Sequence, residues 1–194
     1  MKRFFISFFC FWFWVSPSMA ADIAENSVFS EFVRNLDTAN VSYKQTKKIP
    51  DLEKSFISEG RIKLVKGKGV LWMQDKPAAE RFIATMEKYC RNGQTEDLDR
   101  LPYFARIKQL AEEVLSGDHD ALKNVFAVDY AEVNDVWTLL LLPVRDEMSA
   151  FLKKIVLTGT ARGISRVVVF YVSGIKITID FKPTGKEIAD EIEC

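Results

Sequence analysis

Histidine and cysteine are nearly missing from this chain of 194 residues, with one and three respectively. No Cys-x-x-Cys pair or Cys/His cluster exists, which excludes a structural zinc site. No serine occupies a Gly-x-Ser-x-Gly elbow, and none of the glycines builds a phosphate-cradling loop or a dinucleotide fingerprint. The single histidine, His119, lies in Gly117-Asp118-His119-Asp120. An adjacent aspartate could orient it as a general base, but Gly and Asp are what a solvent-facing turn uses anyway. Glu112-Glu113 and the Asp97/Asp99 pair read as solvated surface. With no catalytic constellation, the chain reads as a non-enzyme without cofactor or metal.

An excess of charge of one sign is also missing. Basic and acidic residues balance at 27 each, and residues 21–194 carry 25 against 27. A nucleic-acid binder needs a basic footprint, so that class is excluded. Internal repeats, low-complexity tracts and linkers are absent, and residues 21–194 form one domain large enough to bury roughly 70% of its unfolded surface.

Long apolar runs are confined to the start. Lys2 and Arg3 precede an almost wholly apolar stretch over residues 4–15. Pro17 then breaks it, and Ser18-Met19-Ala20 offers a cleavage site before Ala21. Twelve apolar residues are too few for a bilayer core, which takes about 20. Residues 1–20 are therefore expected to be a cleaved signal peptide of an exported protein. Eight of the 24 aromatics belong to it and say nothing about the fold. Beyond it stand Cys90 and Cys194, which in an oxidising compartment either pair as a disulfide or remain two free thiols.

Periodicity supplies the elements. Ser27 caps a first helix in which Val28, Phe29, Phe32, Val33 and Leu36 form one stripe. Short strands with tight turns follow from Val41: Ile62 and Leu64 alternate with Arg61 and Lys63, Lys66-Gly67-Lys68-Gly69 turns the chain, and Val70-Leu71-Trp72-Met73 runs on to Pro77. Residues 82–89 read as a further strand. A helix is expected over 102–117, started by Pro102 and closed by Gly117, and a short helical turn through Phe126. Trp137, Leu139 and Leu141 then share a strand with Leu140 and Leu142, apolar on both sides. Residues 146–152 read as a short helix and three strands finish, the last alternating Ile175, Ile177, Ile179 and Phe181 with polar residues. The fold class is α+β: a curved antiparallel sheet whose concave face is covered by helices.

The ordered set Tyr43-x-Gln45, Gly60, Lys66, Trp72 and Pro77 resembles the LolA family, periplasmic carriers of outer-membrane lipoproteins. Looser agreement continues through Leu115–Asp118, Trp137–Pro143 and Ile175–Phe181. The resemblance implies an unclosed β-barrel whose inner face accommodates acyl chains, with Ile62, Leu64, Val70, Trp72, Trp137, Leu139, Ile177 and Ile179 as the cavity residues. Each of these also reads plainly as ordinary core. The family's lid-latching arginine corresponds to Lys66, which keeps the charge but loses the planar fork; as a plain turn residue it needs no such role. Val70 stands where better-known members carry an inner phenylalanine, and no added C-terminal element follows Phe181.

What the resemblance implies for function is a monomeric carrier. It would take lipoprotein acyl chains, or another lipid, from an inner-membrane release machinery towards an outer-membrane acceptor. Two alternatives stay open: an accessory protein for export of a glycolipid or polyene-type lipid, and a structural module with a filled core.

Overall fold

The structure is a computed structural model, and it describes residues 27–34, 38–65, 67–85, 88–96 and 123–184 together with Ile188 and Ile192. Residues 1–20, the helix expected over 102–117, His119, Lys66 and Cys194 lie outside the described residues.

Helix α1 (Val28–Arg34) opens the described chain. As the sequence suggests, Ser27 caps it, its Oγ accepting the Ser30 N–H at 3.1 Å. Six strands follow: β1 (Thr38–Lys48), β2 (Phe56–Val65), β3 (Gly69–Lys76), β4 (Glu80–Ala84), β5 (Tyr89–Arg91) and β6 (Gln94–Glu96). The second group is β7 (Phe126–Val133), β8 (Val136–Pro143), the one-turn helix α2 (Asp146–Ser149), β9 (Leu152–Thr160), β10 (Gly163–Tyr171) and β11 (Lys176–Pro183).

All eleven strands belong to one antiparallel sheet in the order β6-β5-β4-β3-β2-β1-β11-β10-β9-β8-β7. Two meanders thus run away from a common seam. Every other pairing joins neighbours in sequence, but β1 and β11 come from opposite ends of the described chain and pair from Val41↔Pro183 to Lys48↔Lys176. Strands β6 and β7 are the two outer edges, so the barrel is unclosed.

Turn chemistry sets several of these boundaries. Asn92-Gly93 and Asn134-Asp135 both hold positive φ at their two central residues, with angles of 50° and 82° and of 52° and 61°. That is the geometry whose twist matches a two-residue hairpin. The stretch 82–89, expected as one strand, is accordingly split: β4 ends at Ala84, β5 begins at Tyr89, and Asn92-Gly93 reverses the chain into β6. Phe126, expected to end a helical turn, instead opens β7, and Leu152 belongs to β9 rather than α2. In both cases a buried, ladder-paired position outweighs a weak local helical preference.

Following cross-strand partners assigns the two faces. Tyr43↔Gly60, Ile62↔Trp72, Trp72↔Phe82, Tyr43↔Phe181, Ile179↔Val167, Val167↔Leu157 and Leu157↔Leu139 share the inner face. The outer face carries Lys44, Arg61 and Arg166, with ion pairs Lys44–Glu59 (3.6 Å), Arg61–Asp75 (3.2 Å) and Arg166–Asp180 (2.6 Å). Exposed pairs of this kind each contribute about 0–1 kcal/mol. Their larger effect is on register, because a one-residue slip would turn every charge inward.

Burial is uneven across the sheet. Over β8 and β9 the inner face is covered by α1: Phe29 stands edge-on to Trp137 with centroids 5.0 Å apart, inside a cluster with Phe126, Leu139, Leu141, Ile155 and Leu157. Over β3 to β5 a second cluster lies on the outer face instead, where Leu71, Met73, Ile83 and Cys90 pack under Ile188 and Ile192. The Lys63 ammonium ties that C-terminal segment down through the Ile188 carbonyl at 2.7 Å. This explains why Val70-Leu71-Trp72-Met73 is apolar without alternation. Both sides of β3 meet apolar neighbours.

Gly159 makes the first cluster possible. It pairs with Trp137 across β8 and β9, and a Cβ there would stand 2.3 Å from the indole Cζ2. The same indole donates from Nε1 to the Thr160 carbonyl at 3.1 Å. Gly159→Ala is expected to lower unfolding stability by about 1–3 kcal/mol through overpacking, measured by urea denaturation; an unchanged midpoint would contradict this packing.

Candidate functional site

The eight residues expected to line a cavity all lie on the inner face. Ile62 and Trp72 are register partners, as are Leu64 and Val70. Ile177 and Ile179 reach the same face through Lys47 and Gln45 of β1, and Trp137 and Leu139 through β9. Residues from the two meanders therefore meet on one surface because β1 pairs with β11.

They differ in cover. Trp137 and Leu139 are 0% exposed and Ile62 is buried, so these three belong to packed core and not to an open surface. Leu64, Val70, Trp72, Ile177 and Ile179 are only half-buried. The closing strand was expected to bury one face and wet the other, yet Ile177, Ile179 and Phe181 on its inner side remain partly exposed. Phe82, half-buried on the same face, extends the patch across β4, while Leu64, Val167 and Val169 pack against the cluster under α1. Phe82 was not among the expected lining residues. Alternation in β11 pointed to Phe181, but nothing local reveals which strands lie beside it.

The patch thus occupies the middle of the sheet. Helix α1 covers the inner face on one side of it. Among the described residues α1 is the helix on this face; the helix expected over 102–117 lies outside them. The lid-latch residue Lys66 is outside them, so its role has no structural description.

Polar groups border the patch along β1 to β5. Gln45 donates from Nε2 to Ser58 Oγ at 3.2 Å, and Gln74 from Nε2 to the Ala78 carbonyl at 3.0 Å. Arg91 pairs with Glu80 at 2.9 Å while lying 5.4 Å from the Phe82 ring centroid. Tyr43, at the inner border, is 4% exposed and meets the Trp72 ring edge-on at 4.8 Å. Burial raises its phenol pKa above the ordinary value. The Trp72 indole N–H acts against this, and the Asp75 and Glu80 charges add to it. The Trp72 contact falls short of full hydrogen-bond geometry, and the Tyr43 hydroxyl has no hydrogen-bond partner among the described residues.

Cys90 is disulfide-bonded, which answers half of the question left by the sequence; the partner cysteine lies outside the described residues. No group of three or more metal-ligating side chains occurs among the described residues. No described helix is long and apolar enough to cross a membrane.

Helix α1 is docked by charge as well as by Phe29. Glu132 accepts the Val28 N–H at 3.1 Å and the Tyr130 hydroxyl through a short hydrogen bond. A carboxylate at a helix start also suits the positive end of the helix dipole. The Tyr130 phenol is pushed up to about 12, first by burial and then by its bond to Glu132, with Ser27 and the Phe29 N–H pulling back.

Comparison with known proteins gives two sets of similarities. Residues 78–169 match the family model described as outer membrane lipoprotein carrier protein LolA-like. Among solved structures, a LolA superfamily protein from Nitrosomonas europaea aligns with a TM-score of 0.44 and 10% identity, over 83% of this chain and 92% of that one. A domain from Vibrio parahaemolyticus described as an outer membrane lipoprotein-sorting protein aligns with a TM-score of 0.30 and 10% identity, over 77% and 87%. No curated protein sequence matches the chain.

The Tyr130 shift has a testable sign. Because the folded pKa lies above the unfolded value of 10, the associated stability is present below pH 10 and is lost as pH rises towards 12. Glu132→Ala is expected to bring the Tyr130 titration back towards 10 in ultraviolet absorbance. A titration unmoved by that substitution would separate Tyr130 from the helix contact.

Proposed function

From the match of residues 78–169 to the LolA-like family model we propose that the chain is a divergent member of that family and a non-catalytic periplasmic carrier of acylated lipid. It takes lipoprotein acyl chains from an inner-membrane release machinery and delivers them towards an outer-membrane acceptor, as a monomer. Residues 1–20 direct export, and Lys66 takes part in closing the lid.

The observation that carries this reading is the half-covered apolar patch in the middle of the inner face. Water-exposed acyl chains cost about 0.8 kcal/mol per CH₂, so a carrier needs apolar surface that is vacant when empty and covered when loaded. Val70, Trp72, Ile177, Ile179 and Phe181 offer such surface on strands from both meanders. The packed cluster under α1 holds the curvature while the patch stays available.

Leu139 is wholly buried, so a charge there tests folding rather than binding. Val70→Glu and Ile179→Glu, at half-buried inner positions, are expected to lower retention of a fluorescent long-chain acyl probe at least ~10-fold, given the free energy of placing a carboxylate in apolar surroundings. Val168→Glu, on the outer face, should leave retention unchanged. The reading fails if both inner variants fold, by circular dichroism, and still hold the probe.

A second reading, export of a glycolipid or polyene-type lipid, draws on the aromatic run Tyr43, Trp72, Phe82 and Tyr89. Tyr43 meets Trp72 edge-on, and Phe82 stacks on Tyr89 with centroids 6.3 Å apart. Flat rings of this kind suit a conjugated tail. Tighter retention of a polyene probe than of a saturated chain of equal length would favour it.

We further assign Cys194 as the partner of Cys90. Ile188 and Ile192 pack in the Cys90 cluster, which brings the end of the chain towards that thiol. Peptide mapping without reductant is expected to recover a Cys90–Cys194 linked pair, and recovery of Cys194 as a free thiol from the folded protein would contradict it.

A further inference from the structure

The Tyr43 hydroxyl has no hydrogen-bond partner among the described residues, although its side chain is among the most deeply buried on the inner face, at 4% exposure. A buried polar group left unsatisfied costs about 1–3 kcal/mol. Nearly all such groups in native proteins are paired, and an exception calls for a cause. A phenylalanine would supply the same ring without that penalty, so the hydroxyl is not explained by packing.

Its position supplies a cause. Tyr43 pairs with Gly60 on β2 and Phe181 on β11, and its ring meets Trp72 edge-on with centroids 4.8 Å apart. Around it lie the apolar half-buried Trp72, Phe181 and Ile179, together with Gln45 and Gln74, both already bonded within the protein. The hydroxyl is therefore a donor with no protein acceptor among the described residues, set in apolar surface.

We propose that Tyr43 is the polar anchor of the inner face, its hydroxyl donating a hydrogen bond to a neutral acyl carbonyl, ester or amide, at the head of a bound hydrocarbon chain. The proposal rests on the reading that the inner face holds hydrocarbon, and adds to it the group recognised. A phenol held protonated by burial is an uncharged donor. One such hydrogen bond does not offset the desolvation of a carboxylate or phosphate, which leaves an uncharged acceptor as the ligand group.

The test compares Tyr43→Phe with wild type for four pyrene-labelled probes of equal chain length: an acyl methyl ester, an acyl amide, a free acid and an alkane without a carbonyl. The variant is expected to bind the ester or the amide roughly 2- to 10-fold more weakly, the usual range for one hydrogen bond, and the alkane equally well. Its thermal midpoint without ligand should be equal or higher, since an unsatisfied hydroxyl is removed. Equal losses for carbonyl and alkane probes, no loss at all, or a lower midpoint would overturn the anchor. A free acid bound as tightly as the ester and weakened as much would overturn the neutral-carbonyl assignment. Should wild type bind none of the four, the hydrocarbon reading itself falls; should it bind the alkane while Tyr43→Phe spares the carbonyl probes, only the anchor falls.

Discussion

The pairing of β1 with β11 is the constraint on which the rest depends. Eight register pairs, Val41↔Pro183 through Lys48↔Lys176, join two meanders that would otherwise be separate sheets. Joining the ends of a long chain segment carries a loop-closure cost that grows only slowly with length, so one well-paired seam can offset it. Its consequence is geometric. The apolar residues of β2 to β4 and those of β9 to β11 face the same way and form one surface.

Cover over that surface is distributed unequally, and the inequality suggests a division of labour. Helix α1 seals the inner face around Trp137, where Gly159 opposite leaves room for the indole. Ile188 and Ile192 seal the outer face around Leu71 and Ile83. Each cluster stabilises one wing of the sheet, and neither covers the inner face between them. Apolar area left in contact with water forgoes roughly 25 cal/mol per Å². The two packed wings and the Cys90 disulfide are what allow the middle of the sheet to remain incompletely covered.

Much of the architecture was legible in the chain. Ser27 announced α1, the alternation of β11 was plain, and Tyr43-x-Gln45, Gly60, Trp72 and Pro77 carried a family likeness; the family model itself matches residues 78–169, which follow those positions. By strand register the eight residues named from the resemblance lie on one side of the sheet. Local patterns were silent on cover: Trp137 and Ile177 look alike in alternation, yet one is sealed by α1 and the other is half-open, because burial is decided by elements distant in sequence. The β5–β6 hairpin escaped notice although Asn92-Gly93 is a strong turn signal, since strands of three residues carry almost no periodicity. Tyr43 stood in a quoted motif, but only the third dimension reveals that its hydroxyl lacks a hydrogen-bond partner among the described residues.

Trp72 and Trp137 are the two tryptophans of residues 21–194, and they sit in the half-open and sealed parts of the same face. An acyl chain brominated along its length quenches an indole that it touches, so fluorescence distinguishes the two places directly. The account predicts marked quenching of the wild-type protein, little in Trp72→Phe, where Trp137 alone emits from beneath α1, and no shift in that variant's thermal midpoint beyond a few degrees. Quenching that survives in Trp72→Phe, or none in the wild type at saturating lipid, would contradict an inner face held open for hydrocarbon.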